Sequence, residues 1–358
     1  MIFASLLFEI LSLLVPQQQQ ATLIFAGDAM MHQGQLDAAY RTGGDYDFSG
    51  YFDAVAPWIS AADYAVVNLE TPVAGPKYSG YPCFNAPDKY VDALIEAGFD
   101  MMLTANNHTL DRRDRGLCTT IKTLDAKGVD HIGTYPDAEA RAKALPYIKD
   151  IKGFKVGFLN YTYGTNGIRI SGNVVVDYID RKTIDADIRA TRAAGAEILV
   201  VAIHWGDEYR LLPNAFQRDM AQFLKDRGVD LIIGGHPHVI QPMQLEPNDK
   251  NNERNTLLVY SLGNFISNMK TTDTRGGAMV HATLKRDAKG HAYVAEAGYK
   301  LVFALQPNAK DQNFRLVPID SDTDIDSVAG IRASACRAFV ASALRIFNKH
   351  NKSVPRIH

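Results

Sequence analysis

The chain has 358 residues, 46% of them hydrophobic and 22% charged, and a formal net charge of −2. That balance is an ordinary globular protein's rather than a disordered or fibrous one's, and the lack of a long basic block argues against nucleic acid or an anionic membrane surface as the main partner. The length accommodates one large domain or two smaller ones. Residues 1–16 are nearly all apolar and are followed by Gln17, Gln18, Gln19 and Gln20. This run is shorter than the roughly 20 residues that span a bilayer, which favours a signal peptide over residues 1–20 and an exported, periplasmic or envelope-associated protein. Against that stand Glu9, inside the apolar run, and the absence of Lys or Arg before it. Cys83, Cys118 and Cys336 are scattered, form no metal-like spacing and read as small buried hydrophobes.

From residue 21 onward, short apolar runs alternate with amphipathic stretches. Strands are expected over residues 22–26, 64–67, 101–104, 156–159, 198–203, 231–233 and 257–260. Helices are expected over about 52–61, 87–97, 114–127, 183–194 and 214–227. This alternation predicts an α/β protein, and the near-continuous apolar strands predict sheets covered on both faces. Residues 276 to about 305 look antiparallel, and a helix over 331–347 is expected to fold back on the body. No linker rich in Pro, Gly or Ser divides the chain. The expected organisation is therefore one domain over 21–310 with a C-terminal extension over 311–358.

Polar residues gather just past the carboxyl ends of the apolar runs: Asp28, Glu70, Asn107, His108, His204, His236 and His238. In open α/β sheets, sites are assembled at that edge. Taken singly, Asp28 could cap a helix, Glu70 or Asn107 could shape a turn, and His204 could be a satisfied core histidine. Four of the chain's ten histidines fall at such positions, however, and that concentration favours a metal. Pro237 is expected to hold His236 extended, so that His236 and His238 face one point in space. Carboxylates and an amide oxygen mixed with imidazoles suit hard or borderline divalent ions such as Mn, Fe or Zn.

In order along the chain, these residues stand as Gly27-Asp28, Asn68-Leu69-Glu70, Asn106-Asn107-His108 with Asp111, His204-Trp205-Gly206 with Glu208-Tyr209, Gly235-His236-Pro237-His238 and Ser261-Leu262-Gly263-Asn264-Phe265. That order resembles the CapA family of capsule and poly-γ-glutamate synthesis proteins, within the calcineurin-like metallophosphoesterases. The resemblance covers about residues 22 to 270. It implies a four-layer αββα sandwich of two mixed sheets with two divalent ions at the sheet edges. Asp28 and His238 would hold one ion; Glu70 would bridge to a second, bound by Asn107, His204 and His236. His108, with Asp111, would act as general acid. Two features depart from the superfamily pattern. The histidine usual two residues after the first aspartate is replaced by His32, four residues on, and the bridging group is Glu rather than Asp. Arg112, Arg113 and Arg115 would bring guanidinium groups near the site, or else form an exposed charged helix start. His32, Trp205, Glu208 and Asn264 are further candidate substrate contacts, with Tyr209 beside Trp205 as a cleft wall.

Two functions follow as expectations. One is a metal-dependent hydrolase acting on a phosphoester, or on a γ-glutamyl amide, in an envelope or capsular polymer. The other is a non-catalytic accessory that binds an anionic polymer such as poly-γ-glutamate. Membrane proteins of capsule synthesis are the expected protein partners, and nucleic acid is not.

Overall fold

Strand Gln20–Ala29 is apolar on both faces: Leu23 and Phe25 point to one side, Ile24 and Ala26 to the other, and all four are buried. Such a strand needs cover above and below. The computed structural model supplies it, describing residues 19–248, 251–309, 312–320 and 325–357. The expected signal segment thus lies outside the described residues except for Gln19 and Gln20.

Two mixed sheets stack face to face. The eight-stranded sheet runs Arg315–Ile319, Ala292–Leu305, Gly276–Arg286, Gln20–Ala29, Tyr64–Leu69, Met101–Leu103 and Asp130–Ile132, with Asn264–Ile266 paired to Gln20–Ala29. The six-stranded sheet runs Met243–Asn248, Asn251–Val259, Leu231–Gly235, Ile198–His204, Phe154–Thr162 and Tyr147–Ile151. Leu23, Phe25, Val66 and Met101 of the first share one core with Val156, Phe158, Val200 and Ile233 of the second. On the outer face of the first sheet, Ile24, Val67 and Met102 meet the helix Asp88–Glu96 through Tyr90, Val91 and Leu94. On the outer face of the second, Leu159, Val201 and Ile232 meet the helices Arg181–Ala193 and Ala215–Lys225. The result is the four-layer αββα arrangement.

Elements agree with the sequence pattern where the apolar period is long. The 52–61 helix is an exception: only Ala56–Ile59 is helical, with Pro57 in its first turn. Phe52 and Val55 are instead held in a preceding turn that is buried against the outer face of the sheet. Gly276–Arg286 and Ala292–Leu305 form the expected antiparallel pair. Helix Ala333–His350 lays Cys336, Phe339, Val340, Ala343 and Phe347 into the shared core. Among the described residues no helix is long and apolar enough to cross a membrane.

The central strands of both sheets are parallel, and their carboxyl ends meet at one edge. Asp28 pairs with Asn68 and with Asn264 in the first sheet, and His204 pairs with Gly235 and Thr162 in the second. The two ends approach because Gly235 lacks a Cβ; one built there would lie 2.9 Å from Asp28 Oδ1.

Candidate metal centre

Asp28 is aimed into the edge by a bulge. Register slips between Ala26 and Asp28, leaving Gly27 unpaired, and a Cβ on Gly27 would collide with the carbonyl of Gly263. Asn68 lies in the neighbouring strand, two residues before Glu70, so both point the same way. Its Nδ2 donates to Asp28 Oδ1 at 2.8 Å and to Glu70 Oε2 at 3.2 Å. Asn106 Nδ2 in turn donates to Asn68 Oδ1 and to the carbonyl of Leu69. The sequence motif contained these amides but gave no reason to assign them a role. Their period-two spacing from Glu70 and their place beside Asn107 were the available signals.

Asp28, Glu70 and His238 each present a ligand atom within 4.8 Å of the others. Asn264 Oδ1 lies 3.1 Å from His238 Nδ1, and the Asn264 amide nitrogen donates to Ser267 Oγ and the carbonyl of Thr274. That fixes the amide and places the His238 proton on Nδ1. Nε2 is left free on the side of Glu70 Oε1, 3.8 Å away. Asn264 therefore orients an imidazole rather than contacting substrate. On the other side, His204 Nε2 lies 2.8 Å from Asn107 Oδ1 and 3.6 Å from Glu70 Oε1. The Asn107 nitrogen is held by Asn166 Oδ1, which turns the amide oxygen inward. The His236 ring stands 4.9 Å from that of His204.

The paired imidazoles do not arise from an extended backbone. His236 has φ 96 and His238 φ 57, both in the left-handed region, at a cost of about 1–3 kcal/mol each. Three backbone bonds hold the loop in that shape. The His236 N–H donates to Asp28 Oδ2, the Trp205 N–H to the carbonyl of Gly235, and the Tyr209 N–H to the carbonyl of Pro237. The rings consequently diverge, with centroids 6.0 Å apart: one turns toward His204 and the other toward Asp28 and Glu70.

The electrostatics of the cluster fit a cation. Asp28 and Glu70 are both fully buried. Burial raises the Asp28 carboxyl, but the hydrogen bond from His238 and the adjacent His204 imidazole more than offset it and hold it well below the usual carboxylate range. Burial and the neighbouring Asp28 carboxylate push Glu70 well above that range. Burial, then His236, drives His204 far down, and His236 itself is pushed down to about 3 by burial and by His238. Neutral imidazoles beside crowded carboxylates make the donor set a divalent ion requires. Glu70 Oε1 and His236 Nδ1 are buried without a hydrogen-bond partner. Such orphaned acceptors fit coordinating atoms better than structural ones.

His108 and Asp111 form a buried pair beside this cluster, Nδ1 to Oδ2 2.8 Å. Phe84, unnoticed in the sequence, packs its ring on His108 and donates its N–H to Asp111 Oδ2. Its distance of more than twenty residues from the motif hid it.

The remaining candidates separate. Trp205, expected in a cleft wall, is fully buried and donates to the carbonyl of Tyr260, so it is core. Tyr209 and Glu208 are exposed at the cluster. His32 accepts from the Asn268 N–H and packs on Phe84. Arg112 turns away to the carbonyl of Lys77 and to Ser79, and Arg113 and Arg115 are exposed at the start of helix Arg113–Lys127. The exposed-helix-start alternative therefore describes them.

A family model described as bacterial capsule synthesis protein PGA_cap matches residues 22–269. The capsule biosynthesis protein CapA of Bacillus anthracis is 27% identical over 286 residues, covering 75% of this chain and 65% of that protein. The PGA biosynthesis protein CapA of Bacillus subtilis is 29% identical over 276 residues, covering 74% and 68%. The chain thus spans about two thirds of these relatives' lengths. Among solved structures, the sulfate thiohydrolase SoxB of Thermus thermophilus overlaps 94% of this chain and 62% of its own at 16% identity and a TM-score of 0.45, too loose to bear on chemistry.

Proposed function

The chain belongs to the bacterial capsule synthesis protein family PGA_cap, and from that premise we propose that it is a hydrolase with two divalent ions, cleaving a phosphoester or related bond in an anionic envelope polymer. The observation that carries this reading is the convergence of Asp28, Glu70, Asn107, His204, His236 and His238, with Glu70 Oε1 and His236 Nδ1 buried and without a hydrogen-bond partner. Asp28 and His238 would hold one ion, Asn107, His204 and His236 the other, and Glu70 would reach both. Ions so placed lower the pKa of water toward neutrality and polarise a phosphoryl group.

The chain's own part is orientation and proton transfer. The Asn68 and Asn106 amides keep the Asp28 and Glu70 carboxylates in place without adding charge. Asp111 accepts from His108 Nδ1–H and orients the ring, so that a proton carried on Nε2 would pass to the departing oxygen and leave the imidazole neutral. The cell envelope is its setting in this reading, supported by the apolar residues 1–16 and by the capsule-related names of the relatives.

The test is release of p-nitrophenol from bis-p-nitrophenyl phosphate by manganese-loaded protein, abolished by EDTA and restored by manganese. Protein that binds two equivalents of manganese yet turns over no ester, amide or polymer, and still retains poly-γ-glutamate, would replace this reading with the accessory role.

A further inference from the structure

The segment Gly206-Asp207-Glu208-Tyr209 leaves strand Ile198–His204 and crosses the solvent side of the cluster. Glu208 is exposed, yet its carboxylate, His236 and His238 each offer a ligand atom within 4.8 Å of the other two. The buried set Asp28, Glu70 and His238 has the same property, and the two sets share His238. Glu70 therefore approaches from the protein side and Glu208 from the solvent side.

Glu208 does not reach the imidazoles by chance of a floppy side chain. The next residue, Tyr209, donates its N–H to the carbonyl of Pro237, between the two histidines, at 2.8 Å. To do so Tyr209 takes φ 65, which a non-glycine residue adopts at a cost of about 1–3 kcal/mol. The residue as a whole is 53% exposed, so little burial offsets that cost. What the strained tether accomplishes is to hold position 208 over the histidine loop. A second observation points the same way: His236 Nδ1, in a residue only 3% exposed, has no partner.

We propose that Glu208 is a displaceable ligand on the solvent side of the cation pair, occupying the position that an anionic oxygen of the substrate takes when it binds. The proposal rests on the dimetal reading above. It makes the resting centre self-capped: the carboxylate leaves as the substrate oxygen arrives, with no change in charge count on the ions. An exposed carboxylate at the mouth also makes weak anions poor competitors.

The full chain, stripped with chelator, is titrated with Mn²⁺ by calorimetry, and the loaded protein is then titrated with inorganic phosphate. Wild type takes two equivalents. Glu208→Gln is expected to weaken the looser Mn²⁺ site about tenfold, the scale on which lost ligand-shell interactions act, and to bind phosphate several-fold more tightly. Asp207→Asn is the control for charge alone, because its carboxylate accepts from Asn214 Nδ2 and belongs to neither ligand set; it should change Mn²⁺ affinity by less than about twofold. Mn²⁺ affinity unchanged in Glu208→Gln, or equally weakened in Asp207→Asn, overturns ligation by Glu208. Phosphate binding that is no tighter in Glu208→Gln overturns displacement. Wild type that takes up no Mn²⁺ sinks the dimetal reading, and this one with it.

Discussion

The ring of Phe84 meets the imidazole of His108 edge-on at 4.5 Å, and the same residue's N–H donates to Asp111 Oδ2 at 2.7 Å. One buried phenylalanine from a distant loop thus fixes both His108 and Asp111. Phe84→Leu keeps the backbone N–H and removes the ring contact. We expect kcat to fall several-fold with little change in KM, and stability to drop by about 1–3 kcal/mol, as for a large-to-small change in a core. A KM effect without a kcat effect would assign Phe84 to substrate binding instead.

Asp111→Asn leaves the shape of the pair but takes away the charge that keeps a proton on His108 Nδ1. Turnover should fall by about 10²–10⁴, the range of a lost general acid, and His108→Ala should fall as far. Neither residue belongs to a ligand set, so both variants should retain wild-type metal content by elemental analysis. Loss of metal along with activity would make the pair structural.

Gly235→Ala puts a methyl group 2.9 Å from Asp28 Oδ1. Either the carboxylate shifts or the two sheet ends separate. Both weaken the site formed by Asp28 and His238, and a loss of at least about tenfold in the affinity of one Mn²⁺ equivalent is expected. Calorimetry showing two undiminished sites would mean that Asp28 is not a ligand.

His32 bears on acid stability. Burial lowers it to about 4, with the nearby His238 and His108 adding to the shift against a raising hydrogen bond with Gln35. In the unfolded chain an imidazole takes its proton near 6.5. Between those values the unfolded state binds more protons, so stability falls as pH is lowered from about 6.5 to 4. His32→Gln removes this group's share, up to about 3 kcal/mol at pH 4 for metal-free protein. Relative to their offset at neutral pH, the denaturant midpoint of wild type should fall more steeply than that of His32→Gln as pH is lowered toward 4; parallel curves would show that His32 is solvated and ordinary.

Much of the centre is legible in sequence because strand ends are local features. Asp28, Glu70, Asn107, His204 and the two histidines around Pro237 each follow an apolar run, and parallel strands must deliver their carboxyl ends to one edge. The outer helices are legible for the same reason, through a hydrophobic period that serves a neighbouring sheet. What the tertiary structure alone decides is direction. Bonds from His236 to Asp28, from Trp205 to Gly235 and from Tyr209 to Pro237 force the histidine loop to positive φ, where the local preference of a residue before proline is extended. The same long-range contacts bury Trp205, turn Arg112 away, bring Phe84 onto His108 and lay Glu208 across the open side. Residue type and spacing set which atoms can reach the edge. Hydrogen bonds and packing between segments up to some two hundred residues apart determine where each one points, because their energies outweigh the roughly 1–3 kcal/mol of local backbone preference overridden at each residue.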